Sequence, residues 1–213
     1  MRLYLIRHGQ TKWNDTNRAQ GHTDVELDEV GLRQSELLGE SFCGARIDKV
    51  ITSDLKRSWQ TAEPISRVTS APMVKDPRLR ERTFGEWEGL GYHLVAEQMR
   101  QLQNERALSL FEVRPPGGES MLDVWNRVLP AVREMRQENG SIAVVSHGGS
   151  SALILAALIG GSIEVSRAFR FANTGVTELH SRPDGTLYIK RYNDTSHLSV
   201  EPALSGDLDG THR

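Results

Sequence analysis

Met1-Arg2-Leu3-Tyr4-Leu5-Ile6-Arg7-His8-Gly9 opens the chain, and Ile142-Ala143-Val144-Val145-Ser146-His147-Gly148-Gly149 repeats its pattern far downstream. In both, a short apolar run ends at a histidine followed by glycine. Apolar runs of this length, closed by Gly and followed by helical patterns, read as strands buried on both faces, as in a parallel α/β sheet. Ligands of such sheets bind in the crevice at the carboxyl ends of the strands, so two histidines at two strand ends predict one active site. Arg7 beside the first histidine, and the Gly148-Gly149-Ser150 turn after the second, would supply a cation and backbone N–H donors. That is an environment for an anion, phosphate above all.

Working outward, residues 31–42 carry apolar residues at helical spacing, residues 49–52 read as a second strand, and residues 55–68 as a helix. Ser53 or Asp54 would cap that helix, Arg57 falls in its first turn, and Pro64 predicts a kink or an end near Glu63. A short strand at 72–75 follows. Between residues 90 and 116 the pattern becomes polar and helical, with a helix over 92–105, and closes on Arg114-Pro115-Pro116-Gly117-Gly118, which predicts a small cap. A helix over 119–139 ends at Gly140, with Met121, Leu122, Val124, Trp125, Val128, Leu129 and Val132 facing inward. Strand 141–146 and helix 150–158 complete another crossover. Runs 176–180 and 186–192, joined by Pro183-Asp184-Gly185, predict a hairpin at the sheet edge. The expected architecture is one α/β domain over 1–198, a three-layer sandwich with a mainly parallel central sheet, helices on both faces and a small helical cap. The polar stretch 199–213 is expected to be disordered.

Composition narrows the functions. With 213 residues the chain suits a single core, burying roughly 70% of the surface its unfolded form exposes. Twenty-six basic against 28 acidic residues give a net charge of −2, so no global basic field draws nucleic acid or a membrane surface. No run approaches the ~18 apolar residues of a membrane span, and a cytoplasmic location is expected. Cys43 has no partner for a disulfide and reads as a small buried residue near a helix end. There is no His-Glu-x-x-His, no Gly-x-x-x-x-Gly-Lys-Thr loop and no acidic cluster at Mg²⁺-site spacing, so the expectation is a chain without metal or other cofactor.

The two Gly-closed histidine strands, with Asn14, Arg57 in Ser53-Asp54-Leu55-Lys56-Arg57 and Glu81 in Leu79-Arg80-Glu81, resemble the histidine phosphatase superfamily, which includes the cofactor-dependent phosphoglycerate mutases. The resemblance runs from Met1 to about Leu198. A lone Arg-His-Gly would be weak; separated polar positions recurring in order make the pattern specific. It implies a phosphohistidine intermediate on His8.

Phosphoryl transfer needs an unprotonated attacking atom, positive charge on the non-bridging oxygens and a proton donor for the leaving group. His8 is the expected nucleophile, kept neutral by nearby guanidinium groups and aimed by a backbone carbonyl on one ring nitrogen. Arg7 and Arg57 would bind phosphate oxygens through planar forks. His147 would stabilise the transferring group in a protonated or donor state, and Asn14, Gln20, Gly21 and Gly148 would complete the substrate contacts. Glu81 is the expected general acid, by its place in the family pattern, with Glu86 and Glu88 as competitors. His22, His93, His180, His197 and His212 read as structural. The four tryptophans read as packing residues, with Trp59 crowding a helix contact.

Family mutases use a tyrosine three residues after the glutamate, a lysine eight beyond that, and an arginine pair in a longer cap. Here Phe84 and Tyr92 stand at those positions, and no adjacent arginine pair occurs in 90–116. The expectation is therefore a phosphatase acting on a small phosphorylated metabolite, with a mutase and a catalytically idle phosphate-recognition module as alternatives. The edge hairpin is compatible with a homodimer.

Overall fold

The computed structural model describes residues 1–199. Strand β1 (Arg2–Arg7) leads through a one-turn helix α1 (Lys12–Asp15) to α2 (Glu29–Ser41), β2 (Lys49–Thr52), α3 (Lys56–Thr69) and β3 (Met73–Lys75). Then come α4 (Tyr92–Arg106), α5 (Met121–Met135), β4 (Ser141–Ser146), α6 (Gly148–Leu158) and the hairpin β5 (Val176–Ser181) and β6 (Leu187–Asp194). The strands form one sheet ordered β3-β2-β4-β1-β5-β6. β3, β2, β4 and β1 are mutually parallel; β5 runs antiparallel to β1, and β6 antiparallel to β5.

Both faces of β1 are covered, which is why its sequence is continuously apolar rather than alternating. Leu3 and Leu5 point with Ile142 and Val144 into a core closed by Val124, Val128 and Val132 of α5 and by Leu153 and Leu155 of α6. Tyr4 and Ile6 point the other way, with Ala143 and Val145, against Leu38 of α2 and Ala62 and Ile65 of α3. Each fully buried aliphatic side chain in these layers contributes about 1.5–3 kcal/mol. A separate small core holds the cap: Ala19, Phe84, Val95, Met99 and Val113. The architecture is the α/β, mainly parallel sandwich that the apolar runs predict.

Several local expectations are corrected. Between β1 and α2, where the sequence is polar, α1 forms because Thr11 and Asn14 make a reciprocal capping box. α3 runs unbroken through Pro64 to Thr69. Pro64 packs so closely on α2 that a Cβ at Gly39 would lie 2.6 Å from its own Cβ, and this interhelical contact outweighs the missing backbone bond. Neither Ser53 nor Asp54 is the cap residue; Leu55 is, without a side-chain cap bond, while Asp54 instead forms a two-pronged ion pair with Arg80 at 2.6 and 2.7 Å. α5 stops at Met135, short of Asn139, since the residues beyond it are polar and have no core to cover. Leu122 is exposed, and so is Cys43, which the turn after buried Phe42 directs outward. Trp59 has the Lys75 ammonium 4.7 Å from its ring centroid. Of the stretch expected to be disordered, Ser199 closes a turn, and 200–213 lie outside the described residues.

Candidate active site

β1 and β4 are neighbours in register, with Arg7 opposite Ser146, so His8 and His147 leave the sheet side by side. Their ring centroids are 5.1 Å apart. β2 lies on the other flank of β4 and delivers Ser53 and, one helical turn on, Arg57 to the same sheet end. The parallel topology thus converts three distant sequence segments into one crevice.

His8 is 3% exposed. Its Nδ1 lies 2.7 Å from the Gly9 carbonyl, an acceptor only, so Nδ1 carries the proton and Nε2 keeps its lone pair. Burial, and then the Arg57 and Arg7 charges, hold the His8 imidazolium pKa well below its ordinary value. Asn173 Nδ2 donates to the His8 carbonyl at 2.9 Å, and the Thr174 amide to the Arg7 carbonyl at 3.0 Å, fixing the strand end from the loop before β5. Arg7 is itself buried and donates from Nη1 to the Phe171 carbonyl at 2.7 Å.

Arg57 is wholly buried and donates to three neutral acceptors: His147 Nδ1 at 3.2 Å, the Thr23 carbonyl at 2.9 Å and the Gly21 carbonyl at 2.7 Å. Burial lowers its pKa to about 10, which leaves it a cation at neutral pH with no carboxylate bonded to it among the described residues. Because His147 Nδ1 accepts from Arg57, the proton sits on Nε2, which donates to Ser53 Oγ at 2.9 Å. Burial and the Arg57 charge push the His147 pKa well down. The ring is therefore neutral with both nitrogens engaged by protein. This differs from the expected protonated or donor His147 facing the phosphoryl group.

Asn14 Oδ1 is taken by the Thr11 amide and hydroxyl, each at 3.1 Å, which turns its NH₂ away from the capping box. Gln20 is buried, with no hydrogen bond to Oε1 among the described residues. Gly21 adopts φ +53°, a conformation suited to glycine, and a Cβ there would meet Glu88 Oε1 at 2.0 Å. Gly148 opens α6, so its amide is one of the N–H groups without an intrahelical acceptor, and a Cβ on it would lie 3.6 Å from Arg7 Nε.

Glu81 is anchored on that same helix N-terminus. Its Oε2 accepts from the Gly149 amide at 2.9 Å and its Oε1 from the Ser150 amide at 3.1 Å and the Arg82 amide at 3.0 Å; Ser150 Oγ, whose proton goes to the Arg80 carbonyl at 2.7 Å, lies 3.2 Å from Oε1. Backbone amides at a helix N-terminus thus aim the Glu81 carboxyl group into the crevice. Of its competitors, Glu88 is spent on the loop, accepting from the His22, Thr23 and Phe84 amides and the Thr23 and Thr83 hydroxyls, and Glu86 is exposed. The structure thus gathers Arg7, His8, Arg57, Glu81, His147 and Gly148 at one sheet end. Sequence reasoning missed Asn173, which carries no local motif, the bond from His147 to Ser53, and that the Gly149 and Ser150 amides go to Glu81. His22 donates to the Glu81 carbonyl at 2.8 Å, His180 meets Glu178 at 2.6 Å, His197 meets Thr174 Oγ1 at 3.0 Å, and His93 is exposed. His212 lies outside the described residues.

Buried arginines and neutral histidines line a crevice at the carboxyl end of the mainly parallel sheet of this α/β domain. The chain belongs to the histidine phosphatase superfamily (branch 1), whose sequence model matches residues 3–195. It is 31% identical over 210 residues to the protein named probable phosphoglycerate mutase GpmB of Yersinia pestis (strain Pestoides F), covering 96% of this chain and 97% of that one. Among solved structures, it is similar to a mycobacterial glucosyl-3-phosphoglycerate phosphatase complexed with VO3 (29% identity, TM-score 0.78, 90% and 98% of the two chains). It is also similar to the alpha-ribazole phosphatase of Shigella flexneri (26%, TM-score 0.81, 92% and 97%). A phosphoserine phosphatase mutant of Entamoeba histolytica in complex with phosphoserine matches at 26% identity with a TM-score of 0.77, over 92% and 98%. Among the described residues no helix is long and apolar enough to cross a membrane.

Proposed function

We propose that the chain is a phosphomonoesterase that hydrolyses a small phosphorylated metabolite through a phosphohistidine on His8. The observation that carries this reading is the His8 ring: neutral, pinned through Nδ1 to Gly9, and flanked by the Arg7 and Arg57 charges. Nε2 attacks phosphorus and the ester P–O bond breaks, while Arg7, Arg57, Asn14 and the Gly148 amide neutralise the non-bridging oxygens. The departing alkoxide takes a proton from Glu81, which enters this step protonated. Water then attacks the phosphohistidine, Glu81 accepts its proton, the N–P bond breaks and inorganic phosphate leaves. The amides of the α6 N-terminus hold the Glu81 carboxyl in place for both steps. His147 acts here by aiming Arg57 through its Nδ1.

Water rather than a second phosphoglycerate position is the proposed acceptor. Phe84 is buried and packs edge-on against Tyr92 at 5.9 Å, so the positions of the mutase tyrosine and lysine offer neither that hydroxyl nor an ammonium. The name of the Yersinia relative favours the mutase alternative. Both are tested by incubating the protein with 3-phosphoglycerate and 2,3-bisphosphoglycerate and following 2-phosphoglycerate and inorganic phosphate together. Phosphate release should exceed interconversion; interconversion faster by a wide margin would reverse the assignment. Turnover of neither, and of no member of a panel of sugar phosphates, phosphoserine and nucleotides, would favour a phosphate-recognition module.

A further inference from the structure

We infer that Arg127 is a positioning residue for the general acid, a role that rests on the reading of Glu81 above. Arg127 lies on α5 beside the buried stripe of Val124, Val128 and Ala131, where a cation is out of place unless fully used. It is fully used. Nε donates to Glu119 Oε1 at 2.9 Å and Nη2 to Glu119 Oε2 at 2.9 Å, the two-pronged pairing of guanidinium and carboxylate. The remaining donors reach backbone carbonyls of the segment that carries the acid: Nη1 to Arg78 at 2.7 Å and Arg80 at 3.0 Å, and Nη2 to Glu81 itself at 3.3 Å. All five guanidinium N–H groups are thereby assigned, and a lysine, with three donors on a point charge, could not reproduce the set.

The clasp acts on both sides of Glu81. Glu119 Oε2 also accepts from the Thr83 amide at 3.2 Å, and the Glu119 amide donates to the Thr83 carbonyl at 3.0 Å. Ser146 Oγ and Ser150 Oγ hold the Leu79 and Arg80 carbonyls, at 2.8 and 2.7 Å. The backbone of residues 78–83 is thus fixed to α5, β4 and α6, and the Glu81 carboxyl is delivered to the α6 N-terminus at one height. Removing Arg127 takes the α5-side donor from three carbonyls, leaving Arg80 only its bond from Ser150 and Glu81 only its bond from His22, and lets the acid drift from the leaving oxygen, a displacement that penalises proton transfer and spares the nucleophile.

The test is leaving-group dependence. kcat/KM is measured for R127M, R127K and E81Q with glycerol 2-phosphate, whose alkoxide needs a proton, and with p-nitrophenyl phosphate, whose phenolate does not. Thermal unfolding of each variant is followed alongside. E81Q should lose on the order of 10²-fold or more on the alkyl ester and far less on the aryl ester. R127M and R127K should show the same selectivity with a loss of about tenfold or more on the alkyl ester, part of what the acid supplies. If R127M does not fold, R127K, which keeps charge and stem, carries the test. Equal losses on both esters, or none, in the Arg127 variants beside a selective E81Q overturn the positioning role alone. A non-selective E81Q overturns the Glu81 assignment and the inference with it.

Discussion

Between pH 6.5 and 5.0, acidification should destabilise this fold through its two buried site histidines. Burial first, and then the Arg57 charge, hold the pKa values of His8 and His147 well below the ordinary imidazole value, so both rings stay neutral in the folded protein. In the unfolded chain they titrate near 6.5. Below that pH the unfolded state binds more protons, and stability present above it is lost as pH falls towards the folded values. Each ring then costs up to about 1.4 kcal/mol per pH unit, less close to 6.5 where it is half titrated, so between pH 6.5 and 5.0 the pair removes about 3 kcal/mol. That is a large share of the ~5–15 kcal/mol by which domains are stable. Urea unfolding at a series of pH values, for wild type and for the double variant His8→Asn, His147→Asn, measures it. Asn places a donor near the Gly9 carbonyl at position 8 and an acceptor near Arg57 at position 147, while every other titrating group is common to both proteins. The wild type should lose about 3 kcal/mol more than the variant across that interval. Parallel stability curves would mean that the rings accept protons in the folded state, and the neutral-nucleophile argument would be wrong.

Two further outcomes follow from the same geometry. Gly149→Ala places a Cβ 2.7 Å from Glu81 Oε1, so kcat for an alkyl phosphate should fall by about tenfold or more with little change in thermal unfolding, checked by the two assays side by side. Turnover should persist in excess EDTA, since Arg7 and Arg57 supply the positive charge; complete loss restored by Mg²⁺ or Zn²⁺ would contradict it.

What the sequence made legible is what depends on periodicity and chain order. Lys49–Thr52 and Ser141–Ser146 were readable to the residue, because strands buried on both faces are continuously apolar and end abruptly in Ser, Asp, His or Gly. The pairing of His8 with His147 followed from placing both at strand ends, even though only the sheet order shows β1 and β4 to be neighbours. Helix ends were less legible. Pro64 reads as a breaker locally, and only the α2 contact explains why α3 continues. The role of His147 was illegible for a similar reason, since its tautomer is set by Arg57 and Ser53, both about ninety residues away in sequence. Arg127 left one trace, a cation on the apolar stripe of an amphipathic helix, and such a residue merits a search for buried carbonyls.

The central claim is that His8 Nε2 becomes phosphorylated. Its most direct test is to quench the protein with ³²P-labelled substrate during turnover and assay for acid-labile, base-stable protein-bound phosphate. Label on the wild type that maps to His8 and is absent from His8→Asn is the expected result. Equal labelling of His8→Asn, or brisk turnover with no label on the wild type at any quench time, would contradict it.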